Sequence, residues 1–243
     1  MFKTIKGKLI FVVIFSVVCI IITSILVMYK RIDIKYDNSE ETSKTEETKA
    51  NESTNEKGID FYNALIDELL EQGIEPYITL YHWELPYEIY KRGGWMNPEI
   101  VEWFGQYARL VAERFSDRVK YFFTLNEPQC FVGLGFLQGC HAPGVKAPLR
   151  DTFEMAHNAL KAHGRAVQML RAYGKQNVQI GYAPTSGMCY PEKETPKDIE
   201  AARKALFALP DDLSNWTWNV SWWSDPVILG KYPEEGMKKY EKY

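Results

Sequence analysis

Tyr121-Phe122-Phe123-Thr124-Leu125-Asn126-Glu127-Pro128 is an apolar run that ends in an amide, a carboxylate and a proline. It reads as a strand over Tyr121–Leu125. Pro128 has no N–H to give to a ladder, so the strand stops there. A carboxylate leaving an apolar strand is partly desolvated, which disfavours its charged form and suits a general acid at neutral pH. Glu127 is therefore a candidate catalytic group. The plainer reading is a strand-end Glu paired with an Arg or Lys.

Working outward, Val101, Phe104, Ala108, Val111 and Phe115 recur at steps of three and four after Pro98, which predicts a helix before this strand. Further upstream, Glu75 to Leu80 reads as a short buried strand. It follows a helix striped by Phe61, Leu65 and Leu69 that stops at Gln72-Gly73. Downstream, Phe153, Ala156, Leu160, His163, Val167 and Leu170 stripe a third helix ending near Gly174, and Val178 to Ala183 gives a third strand. Thr195-Pro196, with Asp198 three residues after the Thr, opens another helix that runs to about Leu209.

This alternation predicts α/β architecture with a parallel sheet, either doubly wound or an eight-stranded barrel. No glycine-rich phosphate loop follows any strand, so the nucleotide-binding version lacks its usual mark. The turns leaving two successive strands carry His82-Trp83-Glu84 and Asn126-Glu127 instead, which places polar groups together on one rim. In a barrel the C-terminal rim is where catalysis sits.

Ahead of this body lie two segments of different character. Residues 1–31 read as a membrane anchor: Leu9 to Met28 is an uncharged apolar run of twenty residues, long enough for a transmembrane helix across roughly 30 Å of hydrocarbon. The alternative is a cleaved signal peptide, but the run exceeds the usual ~7–15 residues and no small-x-small cleavage site follows. Lys3, Lys6 and Lys8 before it balance Lys30, Arg31 and Lys35 after it, so flanking charge sets no orientation for a single-pass span. Residues 32–54 read as a disordered charged linker. Between Asp37 and Lys57 there are seven acidic and three basic residues, and Ala50 is the only apolar one, so no core forms there.

Whole-chain composition narrows the function further. The 243 residues are 46% hydrophobic and 25% charged with a formal net charge of −3, and no basic block occurs in the body, which argues against a nucleic-acid partner. Cys19 lies in the apolar run. Cys130, Cys140 and Cys189 are widely spaced without a C-x-x-C, which fits reduced thiols rather than a zinc site or a disulfide frame.

The rim motifs carry a resemblance. Tyr81-His82-Trp83-Glu84-Leu85-Pro86, Gly93-Gly94-Trp95 and Thr124-Leu125-Asn126-Glu127-Pro128 resemble family 1 glycoside hydrolases of the β-glucosidase type. Four further stretches agree in order: Asn55-Glu56-Lys57-Gly58 with Phe61-Tyr62; Gly139-Cys140-His141-Ala142-Pro143-Gly144; His157-Asn158 with Leu160, Ala162 and His163; and Asp225-Pro226 with Gly230, Tyr232 and Pro233. Cys140 departs from the pattern, standing where an aromatic residue is common. The resemblance covers about residues 55–243 as a partial barrel holding strands three to five.

It implies an incomplete (β/α)8 barrel and a retaining β-glucosidase with no metal or organic cofactor. Glu127 would be the acid/base, Asn126 the residue at the sugar 2-hydroxyl and His82 a glycone-binding histidine, while the Trp83 ring could stack on the sugar. The pattern is closer to unphosphorylated β-glucosidases than to the phospho-β-glycosidase branch. Glu84, Trp95, His157, His163 and the cluster Trp216, Trp218, Trp222 and Trp223 read more simply as structural.

Retaining hydrolysis also needs a second carboxylate about 5–5.5 Å from the acid. In the family it lies in a Glu-Asn-Gly element after the seventh strand. No such element occurs in this sequence, and Glu234 and Glu235 match no nucleophile motif. The expectation is β-glucoside hydrolysis that is impaired in this chain. The alternatives are a catalytically inactive, membrane-tethered sugar-binding or interaction fragment, or a barrel completed by a partner chain.

Overall fold

A computed structural model describes residues 54–243. The anchor over Leu9–Met28 and the linker before Thr54 lie outside the described residues. Among the described residues no helix is long and apolar enough to cross a membrane.

Three strands, β1 (Tyr77–Tyr81), β2 (Tyr121–Asn126) and β3 (Gln179–Ala183), form one parallel sheet in the order β1-β2-β3. Tyr77 faces Tyr121 and Tyr81 faces Leu125 across the first pair; Tyr121 faces Gln179 and Asn126 faces Ala183 across the second. The Glu127 amide donates to Ala183 O at 2.7 Å and carries the pairing one residue past the strand.

Parallel neighbours need crossovers, which the helices supply. Helix α1 (Glu56–Glu71) leads into β1, and the short α2 (Tyr87–Lys91), a 3-10 turn (Gly94–Met96) and α3 (Ile100–Phe115) connect β1 to β2. Next come α4 (Pro128–Val132), a π-helical turn (Gly133–Leu137) and the long α5 (Leu149–Tyr173) before β3. Helices α6 (Pro196–Phe207), α7 (Ser221–Ile228) and α8 (Glu234–Tyr240) follow. Thr195 caps α6 as its sequence predicts, its hydroxyl oxygen accepting from the Asp198 amide at 3.2 Å.

One face of the sheet is covered by α3 and α5. Leu80 and Phe122 are buried in one core with Phe104, Ala108, Val111 and Phe115 of α3 and Ala156, Ala159 and Ala166 of α5. Gly105 lets these helices close together, since a Cβ there would lie 2.6 Å from Arg165 Cγ. Each large buried apolar side chain contributes about 1.5–3 kcal/mol. The opposite face is more open: Tyr77 is exposed, and its ring stacks on Tyr121 at 4.4 Å.

Glu56 and Lys57 form the first turn of α1, capped by Asn55 Oδ1 accepting from the Gly58 amide at 3.2 Å. One expectation needs correction. The core stripe of α1 is not Phe61, Leu65 and Leu69: Ile59 and Ile66 are buried while Phe61 is 48% exposed. The cause is that α1 packs on two surfaces. Tyr62, Leu65, Ile66 and Leu69 line a groove of about 260 Å³ shared with Ile78 of β1 and with Tyr107, Val111 and Phe115 of α3.

Candidate active site

The parallel register decides where the rim residues meet. Because Tyr81 faces Leu125, the residues that follow each of them leave the sheet side by side. Asn126 Nδ2–H donates to His82 Nε2 at 3.2 Å, so the imidazole accepts there and carries its proton on Nδ1. The neutral ring this requires is favoured by the surroundings. Burial pushes the His82 imidazole below its usual value, against the opposing pull of the Glu127 charge.

Trp83 turns out of the sheet through a left-handed backbone, φ 79°, and its indole Nε1–H donates to Asn126 O at 3.0 Å. With the N–H held by the rim, the ring itself stays 36% exposed, 5.4 Å from His82 and 5.8 Å from His141. His141 comes from the Gly139–Gly144 stretch, and the sequence reading gave it no role. The four expected residues His82, Trp83, Asn126 and Glu127 thus lie together at the C-terminal ends of β1 and β2.

Glu127 is half-buried and left-handed, φ 44° and ψ 66°. A non-glycine residue there is uncommon and held only when its neighbours fix it. Several do. Pro128 is the first residue of α4, where its missing N–H costs nothing, so the proline that ends the strand also starts the helix. The Cys130 amide donates to Glu127 O at 2.8 Å and the Cys130 thiol to Glu127 Oε2 at 3.2 Å. Burial, then the Glu127 carboxylate, push the Cys130 thiol up to about 12, so it stays protonated as a donor. The sequence reading missed this role; the signal was the spacing of three residues from a helix-capping Glu.

Behind the rim, Thr124 Oγ1 and His163 Nδ1 are hydrogen-bonded at 2.7 Å, tying β2 to α5. His157 bonds the Tyr232 hydroxyl at 2.9 Å, and Trp95 is buried with its Nε1–H on Tyr81 Oη at 3.1 Å, so these three residues serve structure. Burial raises the Glu84 carboxyl above its ordinary range, and its charge acts on Tyr62, Tyr81 and Tyr107. Trp216, Trp222 and Trp223 are buried in an aromatic cluster with Phe153 and Tyr240. Among the described residues no group of three His, Cys, Asp or Glu is placed to hold a metal ion.

Chemically, the rim offers a carboxyl group able to give or take a proton, an amide oriented by a neutral imidazole, and an aromatic face. Comparison with known proteins fits this arrangement. β-Glucosidase A of Thermotoga maritima is 42% identical over 189 residues, 78% of this chain and 40% of that protein. β-Glucosidase A of Acetivibrio thermocellus is 42% identical, over 77% of this chain and 39% of that protein. The solved T. maritima β-glucosidase in complex with glucoimidazole superposes with a TM-score of 0.65 at 39% identity, covering 78% of this chain and 41% of that one.

The chain thus spans about 40% of the length of these relatives, and the neighbour's family 1 barrel accounts for the three parallel β-α units. The profile of Glycosyl hydrolase family 1 matches residues 48–243, starting seven residues ahead of the expected Asn55. On that match, and on the identity to the two bacterial β-glucosidases, the chain belongs to glycosyl hydrolase family 1.

Proposed function

We propose that these residues form the acid/base half of a retaining β-glucosidase site. The observation that carries this is the convergence of Glu127, Asn126 and His82 on one rim, with Asn126 hydrogen-bonded to His82 and adjacent to the carboxylate. Glu127 protonates the departing glycosidic oxygen and later takes a proton from water. Asn126, with one N–H on His82, presents its amide to the sugar 2-hydroxyl and binds more strongly as the oxocarbenium-like state develops. His82 reaches the glycone from the β1 side, and the exposed ring of Trp83 offers it a face.

Displacement in this mechanism needs a second carboxylate about 5–5.5 Å away, from which the glycosyl-enzyme intermediate is built. Turnover by this chain alone is accordingly small, and a partner chain that completes the barrel would supply that group. Among the described residues β1 and β3 each pair only with β2, so further strands, whether of the same chain or of a partner, could pair at those edges. A catalytically silent, sugar-binding fragment is the second reading, and it shares the same rim. The run Leu9–Met28 would tether either form to a membrane, and release of the chain by alkaline carbonate would remove that element.

The test is single-turnover release of an aryl leaving group from an activated β-glucoside by the purified chain, with Glu127→Gln as control and azide alongside as an external nucleophile. Release that depends on Glu127 supports the hydrolytic reading. No release with or without azide, together with saturable glucoside binding, leaves the binding reading; absence of both removes the proposal.

A further inference from the structure

Glu127 is held unusually for a carboxylate at the start of a helix. Side chains in that place ordinarily accept from backbone N–H groups of the first turn. Here the first residue is Pro128, which has no N–H, and no backbone amide of α4 reaches the Glu127 side chain. The third residue takes over: the Cys130 amide holds Glu127 O at 2.8 Å and its thiol holds Oε2 at 3.2 Å. Cys130 is 6% exposed. One residue therefore holds both the backbone carbonyl and the side chain of Glu127.

We propose that Cys130 is the positioning residue of the acid/base carboxylate, fixing its rotamer toward the rim through an S–H donor. This rests on the reading of Glu127 as the acid/base, and it adds a residue whose own chemistry is silent. A thiol is a suitable donor here. It is small enough for the buried face of α4, and it donates one hydrogen bond without bringing a charge beside the carboxylate. The other titratable group facing the carboxylate is His82, from the end of β1, whose neutral form leaves the thiol as the steady donor.

The experiment compares the full chain with Cys130→Ala and Cys130→Ser, following the Glu127 carboxyl carbon by NMR with ¹³C-labelled glutamate and Glu127→Gln for assignment. Removing the donor in Cys130→Ala moves and broadens the Glu127 carboxyl resonance at fixed pH as the side chain leaves its single rotamer, and serine, which keeps a donor, restores it. A resonance in Cys130→Ala unchanged in position and width from wild type overturns the proposal. No turnover is needed, so failure of the β-glucosidase reading leaves this outcome intact.

Should Cys130→Ala not fold, the reciprocal measurement decides. Glu127→Gln replaces a charged acceptor with a neutral one, so the infrared S–H stretching band of Cys130, identified by its loss in Cys130→Ser, moves to higher frequency as its hydrogen bond weakens. A band unmoved by Glu127→Gln shows that the thiol does not donate to the carboxylate, and the proposal falls.

Discussion

His163 lies on the apolar side of α5, 8% exposed, with Nδ1 hydrogen-bonded to Thr124 Oγ1 at 2.7 Å and its ring 4.9 Å from that of Tyr182. Burial lowers its proton affinity from the ordinary 6.5 to about 4. The sign follows directly. Below pH 6.5 the unfolded chain binds a proton that the folded chain refuses, so stability falls as the pH drops through the window from 6.5 to 4 and levels off beneath it. A gap of about 2.5 units corresponds to roughly 3.4 kcal/mol across the full window, and to about 2 kcal/mol between pH 7 and pH 5. Other groups titrate there too, so the comparison needs a variant that cancels them. His163→Asn places a polar atom near the position of Nδ1 and removes the titration, at a pH-independent cost from the lost ring. Urea unfolding of both chains from pH 7.5 to 4.5 should show wild type losing about 2 kcal/mol relative to His163→Asn between pH 7 and pH 5. A difference flat to within about 0.5 kcal/mol would refute the argument that this imidazole is held neutral by burial.

Three further outcomes follow from the packing and the rim. Trp216→Ala removes a fully buried indole that stacks on Trp223 and donates to Thr152 Oγ1 at 3.1 Å; about 3–5 kcal/mol of stability should be lost in urea unfolding, whereas a loss below about 1 kcal/mol would revive a groove-lining role. Gly133→Ala sets a Cβ 2.4 Å from Thr217 Oγ1, a buried hydroxyl without a partner, and should cost about 1–3 kcal/mol, while Gly187→Ala, with nothing within 4 Å, serves as the near-neutral control. Glu127→Gln removes the charge that raises the His82 proton affinity, so the His82 ring should titrate lower in the variant by NMR; an upward movement would mean that the two side chains do not face each other.

The long elements were legible because their burial is one-sided and their period is clean. Phe104, Ala108, Val111 and Phe115 announced α3, and they are buried at the positions the period requires. Asn126-Glu127-Pro128 announced the end of β2, and the rim residues followed from the turns after β1 and β2. Short elements were not legible. Helices α4, α7 and α8 have 5, 8 and 7 residues, too few turns for a period to emerge, and α7 even carries Pro226 inside it. Cys130 escaped for a related reason: its role depends on Pro128 starting a helix, whereas the proline had been read only as ending a strand. In α1 the period was right but its phase was wrong, since a groove beside β1 shares the apolar residues with the core.

The placement of the rim on the central of the three described strands fixes what holds the rim residues. Asn126 and Glu127 sit at the end of β2, which has a neighbour on each side; Tyr81 opposite Leu125 fixes where His82 emerges, and Ala183 accepts from the Glu127 amide at 2.7 Å. Every positioning contact of the three polar residues thus comes from β1, β2, β3 or α4. None needs the outer edges of β1 or β3. Further strands added at those edges would pair with free backbone groups, and on the β1 side they would meet the groove lined by Leu65, Leu69 and Ile78. The arrangement of His82, Asn126 and Glu127 is therefore fixed by contacts within these three strands and α4.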